Sequence, residues 1–381
     1  FTDMSVSSSQ RLDHQDAQFE AVHVLRAAAA LLVVLYHVIV IGKWSGYPVQ
    51  GTALLGRVGW VGVDLFLVIS GFVIALSALR GYDRMGSAFR ASFARRRLAR
   101  IVPLYLLTAI VFLFLVEPSL LAQPARVLAL HAATHLTFIH NLWPNTHGSI
   151  NGPNWSVALE MQFYLLMVIC TPWLVRIRPG LLLIGLTAVA LSWRAGVSWV
   201  VGLGIEKAHL LHVYTSQLPG VLDAFGMGIV LAMLMTRRNR PWWLQPGWRS
   251  AGMWLLVFVL SYTLAFDIYW ARAGYWDQFE MVVLWRSLLA TVAVSLVAMA
   301  VTLPSSIQQA VWLWPLRYVG EISYGIYLWH LPVLLTLMTL PGFTGMRLFT
   351  GVLAGTFILS ACSWHLMEKP LIDRWKSPPP H

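Results

Sequence analysis

The stretch Arg26-Ala27-Ala28-Ala29-Ala30-Leu31-Leu32-Val33-Val34-Leu35-Tyr36-His37 decides how the rest of the chain is read. It lies in an apolar run long enough to span a bilayer, yet it holds an arginine and a histidine. Both side chains are costly in hydrocarbon, so such a pair marks a functional site by default. About eleven residues of helix, rising about 1.5 Å each, separate the two groups by roughly 16 Å. One helix thus offers a cation near one membrane face and a proton acceptor deep in the bilayer.

The bulk properties agree with a membrane setting. Hydrophobic residues make up 58% of the 381 and charged residues 11%, with a mean hydropathy of +0.66. These values exclude an ordinary soluble globular domain and indicate an all-α polytopic membrane protein. The net charge of +11 follows from basic residues that flank spans on the cytoplasmic side, so no nucleic-acid partner is expected. The two cysteines, Cys170 and Cys362, lie in apolar runs and give neither a disulfide framework nor metal-ligand spacing. No metal is expected. Residues 1–18 read as a disordered cytoplasmic tail without a cleavable signal. Residues 19–375 read as a single integral-membrane domain, and 376–381 as a second cytoplasmic tail.

Apolar runs of spanning length occur near 21–41, 58–79, 100–117, 154–175, 180–200, 217–236, 251–267, 281–302, 315–340 and 345–366, about ten helices in all. Lys43, Arg57, Arg126, Arg194, Lys207, Arg272, Arg286 and Arg347 fall on one side, and the rest of the 27 basic residues on the other. That bias places both termini in the cytoplasm. The longest outer connection, 118–153, is of a length more often functional than not. Its histidines His131, His135, His140 and His147 lack an acidic companion and read as solvated loop residues. Trp143, Trp155, Trp270 and Trp276 fall near the outer face, where indoles form an interfacial belt and some stack on sugar rings.

Helix rise then sets depth. His37, Asp64, Glu160, Asp223 and His330, from five different helices, each fall within roughly 10 Å of the outer hydrocarbon boundary. Asp64 and Asp223 read first as partners of buried hydroxyls, and His330 equally well as a helix-to-helix hydrogen bond or a site residue. His37 with Glu160 or Asp64 makes a general-base pair, because a carboxylate orients the ring and favours the imidazolium. At the inner face Arg26, Arg96, Arg97, Arg100 and Arg317 form a cluster suited to phosphate, whose oxygens match the guanidinium fork.

Five segments resemble the membrane-bound acyltransferase 3 family. They are Leu25-Arg26 through Tyr36-His37, Gly62-Val63-Asp64 through Gly71-Phe72, Arg96-Arg97-Leu98-Ala99-Arg100 through Tyr105, Asn154-Trp155-Ser156 through Glu160 with Phe163-Tyr164, and Gly320-Glu321 through Trp329-His330. The resemblance runs from about residue 20 to 370. It implies ten transmembrane helices and transfer of an acyl group, commonly acetyl, from cytoplasmic acyl-CoA to a hydroxyl of a cell-envelope or exported glycan. In that family the Arg and His of the opening stretch are regarded as essential, which maps them to Arg26 and His37. The ending near Glu368-Lys369-Pro370 reads as the form without an appended periplasmic esterase-like domain.

The combined expectation is a multi-pass O-acyltransferase of the bacterial inner membrane. His37, Glu160 and Asp64 are its catalytic groups. Arg26, Arg96, Arg97, Arg100, Tyr105 and Arg317 hold the acyl-CoA donor, which is a substrate and not a resident cofactor. Trp155, Ser156, His330 and Asp223 line the place of a glycan or lipid-linked glycan. A flippase for lipid-linked glycan is the rival class, and it would favour internal repeats, of which none is visible. An acyltransferase for a non-glycan small molecule such as a macrolide is the other alternative. The acyl chain and the oligomeric state are not written in the sequence.

Overall fold

The computed structural model describes residues 8–272 and 274–376. Among them are helices and turns but no strand. The long helices are Ser8–Val40 (α1), Val61–Met85 (α2), Phe89–Val111 (α3), Ala125–Leu136 (α4), Asn154–Leu174 (α5), Pro179–Val201 (α6), Leu222–Met235 (α7), Trp248–Ala271 (α8), Arg286–Thr302 (α9), Ser323–Met338 (α10) and Gly345–Ser363 (α11). Among the described residues, eight segments are long and apolar enough to cross a membrane. One of these, Val61–Val116, runs through both α2 and α3. It folds back at Gly86 (φ 57°), which sets the ring of Tyr82 against Phe89, 5.7 Å between centroids.

The protein is therefore an all-α polytopic membrane protein. Several element bounds differ from expectation. α1 extends back to Ser8, into the stretch expected as a disordered tail, because adding a turn to an anchored helix avoids a new nucleation. Residues 1–7 and 377–381 of the two expected tails lie outside the described residues. α3 starts at Phe89, so Arg96, Arg97 and Arg100 are helical and do not precede the span. The expected span 315–340 is broken: a short helix Trp314–Glu321 ends at Ile322 and α10 starts at Ser323.

α2 packs against α1, α3, α5, α7 and α9. Its contact with α7 is a backbone approach. A Cβ on Gly71 would collide with the carbonyl of Phe225, and one on Gly228 with that of Val68. Such small residues let helices close in where hydrocarbon gives no hydrophobic drive. α6 and α8 are mostly exposed along their length, as expected of lipid-facing helices.

Candidate active site

Two cavities that carry ionisable side chains adjoin in the bundle. The outer is a cleft of about 470 Å³, walled by Tyr36, His37, Trp60, Asp64, Trp155, His212, Tyr269, Arg286 and Tyr327. The inner is a slot of about 60 Å³ walled by Arg26, Ser70, Ser156, Glu160, Ser323 and Tyr324. Val63 and Tyr327 border both. A slot of that size holds about two waters.

His37 does stand in the outer cleft, but its partner is not a carboxylate. Its Nδ1 lies 2.9 Å from the carbonyl of Val33, one turn back on α1, and 3.3 Å from Nε2 of His330. His330 in turn has Nδ1 2.7 Å from the Tyr327 carbonyl. A carbonyl accepts only, so each Nδ1 carries its hydrogen and each Nε2 is an acceptor. The pattern leaves the Nε2 lone pair of His37 without a partner among the described residues. His330 is fully buried and supports His37 from behind, where acceptor contact had been expected of it.

Asp64 and Asp223 are partnered by arginines in place of hydroxyls alone. Asp64 Oδ1 accepts from Arg286 Nε at 2.8 Å, and Arg286 Nη1 donates to Ser216 at 3.0 Å. Asp223 Oδ2 accepts from Arg194 Nη2 at 2.7 Å, with Ser287 donating to the same oxygen at 2.5 Å. Asp223 therefore fixes α6 to α7 and does not wall the cleft. Arg286 and Arg194, counted on the outer side by the charge pattern, are buried inside helices. The signal that exposes them is the one applied to His37: an ionisable residue inside an apolar run. A π-helical turn, Met281–Trp285, immediately precedes Arg286, and such turns recur at functional sites.

Glu160 belongs to the inner slot. Its Oε1 accepts from Tyr164 at 2.5 Å and from Ser70 at 3.4 Å. It lies deeper than helix rise suggested because the outer segment before α5 is itself sunk into the bundle. Asn151 and Asn154 are buried, and Asn151 Nδ2 donates to the Leu328 carbonyl of α10 at 3.0 Å. Arg26 donates through Nε to Ser323 at 3.1 Å, and Arg97, Arg100 and Glu160 are its charged neighbours. Arg97 lies over the rings of Phe93 and Tyr164, 5.3 and 5.6 Å from their centroids. Buried Glu368, carried by a second π turn, Trp364–Glu368, is a carboxylate near this group that sequence reading missed.

The rest of the expected cationic site does not assemble. Arg96 bonds Ser92 on its own helix. Arg317 holds the carbonyls of Gln308 and Ala310 and pairs with Glu20 at 3.3 Å, bracing a chain turn. Tyr105 lies about 8 Å up α3 from Arg100, donates to the His135 carbonyl at 3.4 Å and walls neither cavity. Ser156 bonds Tyr327, with 2.7 Å between oxygens, and walls the slot. Trp155 does wall the outer cleft, its ring stacked on His147 at 5.3 Å.

Three of the four loop histidines are not solvated. His135 and His140 stack with 3.9 Å between centroids and are buried with His147. Burial lowers the imidazole of His135 to about 4, that of His140 to about 3 and that of His147 to about 4, since desolvation penalises the charged form.

Comparison with known proteins adds the family. Residues 19–367 match the profile described as "Acyltransferase domain". The chain is 27% identical to the peptidoglycan O-acetyltransferase OatA of Listeria monocytogenes over 91% of its own length and 54% of that protein's. It is 23% identical to the O-acetyltransferase OatA of Staphylococcus aureus, over 91% of this chain and 56% of that protein. It is 28% identical to BcsY of Komagataeibacter xylinus, whose name marks it as a candidate membrane-bound transacylase, over 92% and 82%. The chain thus spans about half the length of the OatA proteins it matches. No solved structure matches it. With Arg26 and His37 of its opening stretch set at the two cavities of one helical bundle, the chain belongs to the acyltransferase 3 family.

Proposed function

We propose that this protein is a membrane O-acyltransferase that moves an acyl group, most simply acetyl, from cytoplasmic acyl-CoA to a hydroxyl of an envelope or exported glycan. The observation that carries this reading is the unpartnered Nε2 of His37 in a cleft walled by aromatic rings together with Asp64 and Arg286. Aromatic faces suit sugar rings, and a neutral imidazole with a fixed tautomer suits proton abstraction.

In the proposed step the acceptor hydroxyl gives its proton to His37 Nε2 while its oxygen bonds the thioester carbonyl carbon. The C–S bond then breaks, and the proton passes from His37 to the departing thiolate, giving free CoA. His330 holds the ring of His37 in place. Arg286, fixed by Asp64, presents a cation at the cleft for the oxyanion. Arg26, Arg97 and Arg100 hold the donor from below, with Glu160 and Glu368 balancing their charge. Val63 and Tyr327 border both cavities, so the donor arm reaches His37 by passing these two side chains. The proposed topology has ten crossings, counting α2 and α3 separately and including α10, with both termini in the cytoplasm of a bacterial inner membrane.

The test is purified protein in lipid nanodiscs with radiolabelled acetyl-CoA and candidate glycans. Label should pass to the glycan with wild type and not with His37→Ala. Wild-type transfer by that variant, or movement of intact glycan across a vesicle membrane without acylation, overturns the reading.

A further inference from the structure

His212 walls the outer cleft, as His37 does, from the short helix Ala208–Thr215 between α6 and α7. Its ring makes a T-shaped contact with Trp155, 5.3 Å between centroids, and another with Trp276 at 6.3 Å. Its Nδ1 lies 3.5 Å from the hydroxyl of Ser216, one turn on, and such bonds tighten when substrate enters a cleft. The hydrogens along this chain follow from its far end. Arg286 only donates, and its Nη1 gives a hydrogen to the Ser216 oxygen at 3.0 Å. Ser216 is buried, so its own hydrogen needs an acceptor. Among the described residues the one other side-chain partner of that hydroxyl is His212 Nδ1. Nδ1 therefore accepts, and the ring hydrogen sits on Nε2. The ring carries no second hydrogen, because burial, with His147 and Arg286 beside it, lowers the imidazole to about 3. His37 has the reverse polarity, with the hydrogen on Nδ1 and the lone pair on Nε2. One cleft thus holds two neutral imidazoles, one that accepts and one that donates, and neither Nε2 face of the pair is taken by a residue of the cleft wall.

We propose that His212 selects the acceptor hydroxyl: its Nε2–H donates to a second oxygen of the same sugar, beside the Trp155 and Trp276 rings, while His37 receives the proton of the reacting hydroxyl. This rests on the reading of the cleft as the acceptor site. A sugar offers both functions within one ring, a hydroxyl hydrogen to give and an oxygen lone pair to receive a donor. Holding one oxygen at His212 decides which of the other hydroxyls faces His37, the positioning that a transfer reaction rewards. A site that spends a buried donor on a substrate oxygen also rejects acceptors that lack it, since the donor is then left unpaired.

The experiment uses the full chain with isotope-labelled histidine in phosphatidylcholine nanodiscs and reads each imidazole by solid-state NMR. Signals missing from His212→Gln belong to His212, and those missing from His37→Ala to His37. At neutral pH His212 should be the Nε2–H form and His37 the Nδ1–H form, and saturating chitotetraose or cellotetraose should shift the His212 Nε2 signal. An Nδ1–H form at His212, or a signal that both sugars leave in place, overturns the proposal. In parallel, acetyl transfer from acetyl-CoA to the same sugars is followed at steady state. His212→Leu should raise KM for the sugar about tenfold, the weight of one hydrogen bond, with kcat and KM for acetyl-CoA within about twofold. His212→Gln, which keeps an N–H near the place of Nε2, should recover most of the loss. A fall in kcat with KM for the sugar unchanged puts His212 on the transition state instead of the acceptor and overturns the proposal. A shifted His212 signal with transfer to neither sugar refutes the transferase reading and upholds the donor at His212.

Discussion

His37 and His330 come from helices at opposite ends of the chain, 293 residues apart, and set their rings 4.9 Å centroid to centroid. Each ring is anchored through Nδ1 to a carbonyl of its own helix, so neither can turn without breaking that hydrogen bond. The pair therefore presents a fixed base on the cleft side and a fixed support behind it. His37→Ala should lower transfer by about 10²–10⁴-fold, the usual weight of a general base. His330→Phe keeps a ring of similar bulk but removes the acceptor. It should cut kcat about tenfold or more while KM for both substrates stays within about twofold, a split that simple loss of fold would not give. Steady-state kinetics in nanodiscs reads both.

The Asp64–Arg286 pair should behave as a unit. Asp64→Asn leaves a buried guanidinium without its carboxylate, a change that typically costs about 3–5 kcal/mol. The double variant Asp64→Asn with Arg286→Gln removes both charges and should recover much of that loss. Thermal unfolding of the four proteins of the cycle measures the coupling. Strict additivity would show that the pair is not coupled in the folded protein.

At the α2–α7 crossing, Gly228→Ala places a methyl group against the Val68 carbonyl and Gly71. Backbone cannot yield as a side chain does, so the helices must separate, at a cost of about 1–3 kcal/mol. Gly252→Ala, on the exposed α8 with open space at its Cβ, is the matched control and should be neutral or slightly stabilising, since alanine favours helix. Detergent thermal melts compare the two.

Stability of the outer segment should fall on acidification. His135, His140 and His147 are held below the ordinary histidine value of 6.5, at about 4, 3 and 4. Unfolded, each takes up a proton near pH 6.5, whereas folded each stays neutral to about pH 4 or below. The stabilisation is thus complete above about pH 6.5 and is lost as pH falls toward 4, by about 1.4 kcal/mol per pH unit for each histidine. Hydrogen exchange at pH 7.5 and 5.5, corrected for intrinsic rates, should show residues 125–153 opening more readily at the lower pH while α2 and α7 hold their protection. Equal protection at both values would refute the assignment.

Hydropathy made the class and most spans legible, because lipid demands uninterrupted apolar helices whatever their arrangement. Arg26 and His37 were legible for the same reason, being charged or chargeable where charge is costly. Their partners were not. Asp64 and Arg286 are 222 residues apart in sequence, and nothing local to either says which will meet. Glu160 was assigned to His37 because depth was counted from a flat outer boundary, whereas the segment before α5 sinks into the bundle with Asn151 and Asn154 buried. The same sunken segment turned His135, His140 and His147 from loop residues into interior ones. Arg96 and Arg317 looked like members of a cluster by charge alone, and only the direction of each side chain separates them from Arg26 and Arg97.

That Val63 and Tyr327 border both cavities has an electrical consequence in the proposed topology. Water that fills the outer cleft down to His37 brings the outside potential with it, so a membrane voltage falls across the packed layers beneath. A unit charge that crosses 100 mV gains or loses about 2.3 kcal/mol. A proton exchanged between His37 and a group in the cleft stays outside that drop, and its transfer is insensitive to voltage. A charged group moved past Tyr327 enters that drop, so in the proposed topology passage of the donor, unlike the proton step at His37, carries a voltage dependence.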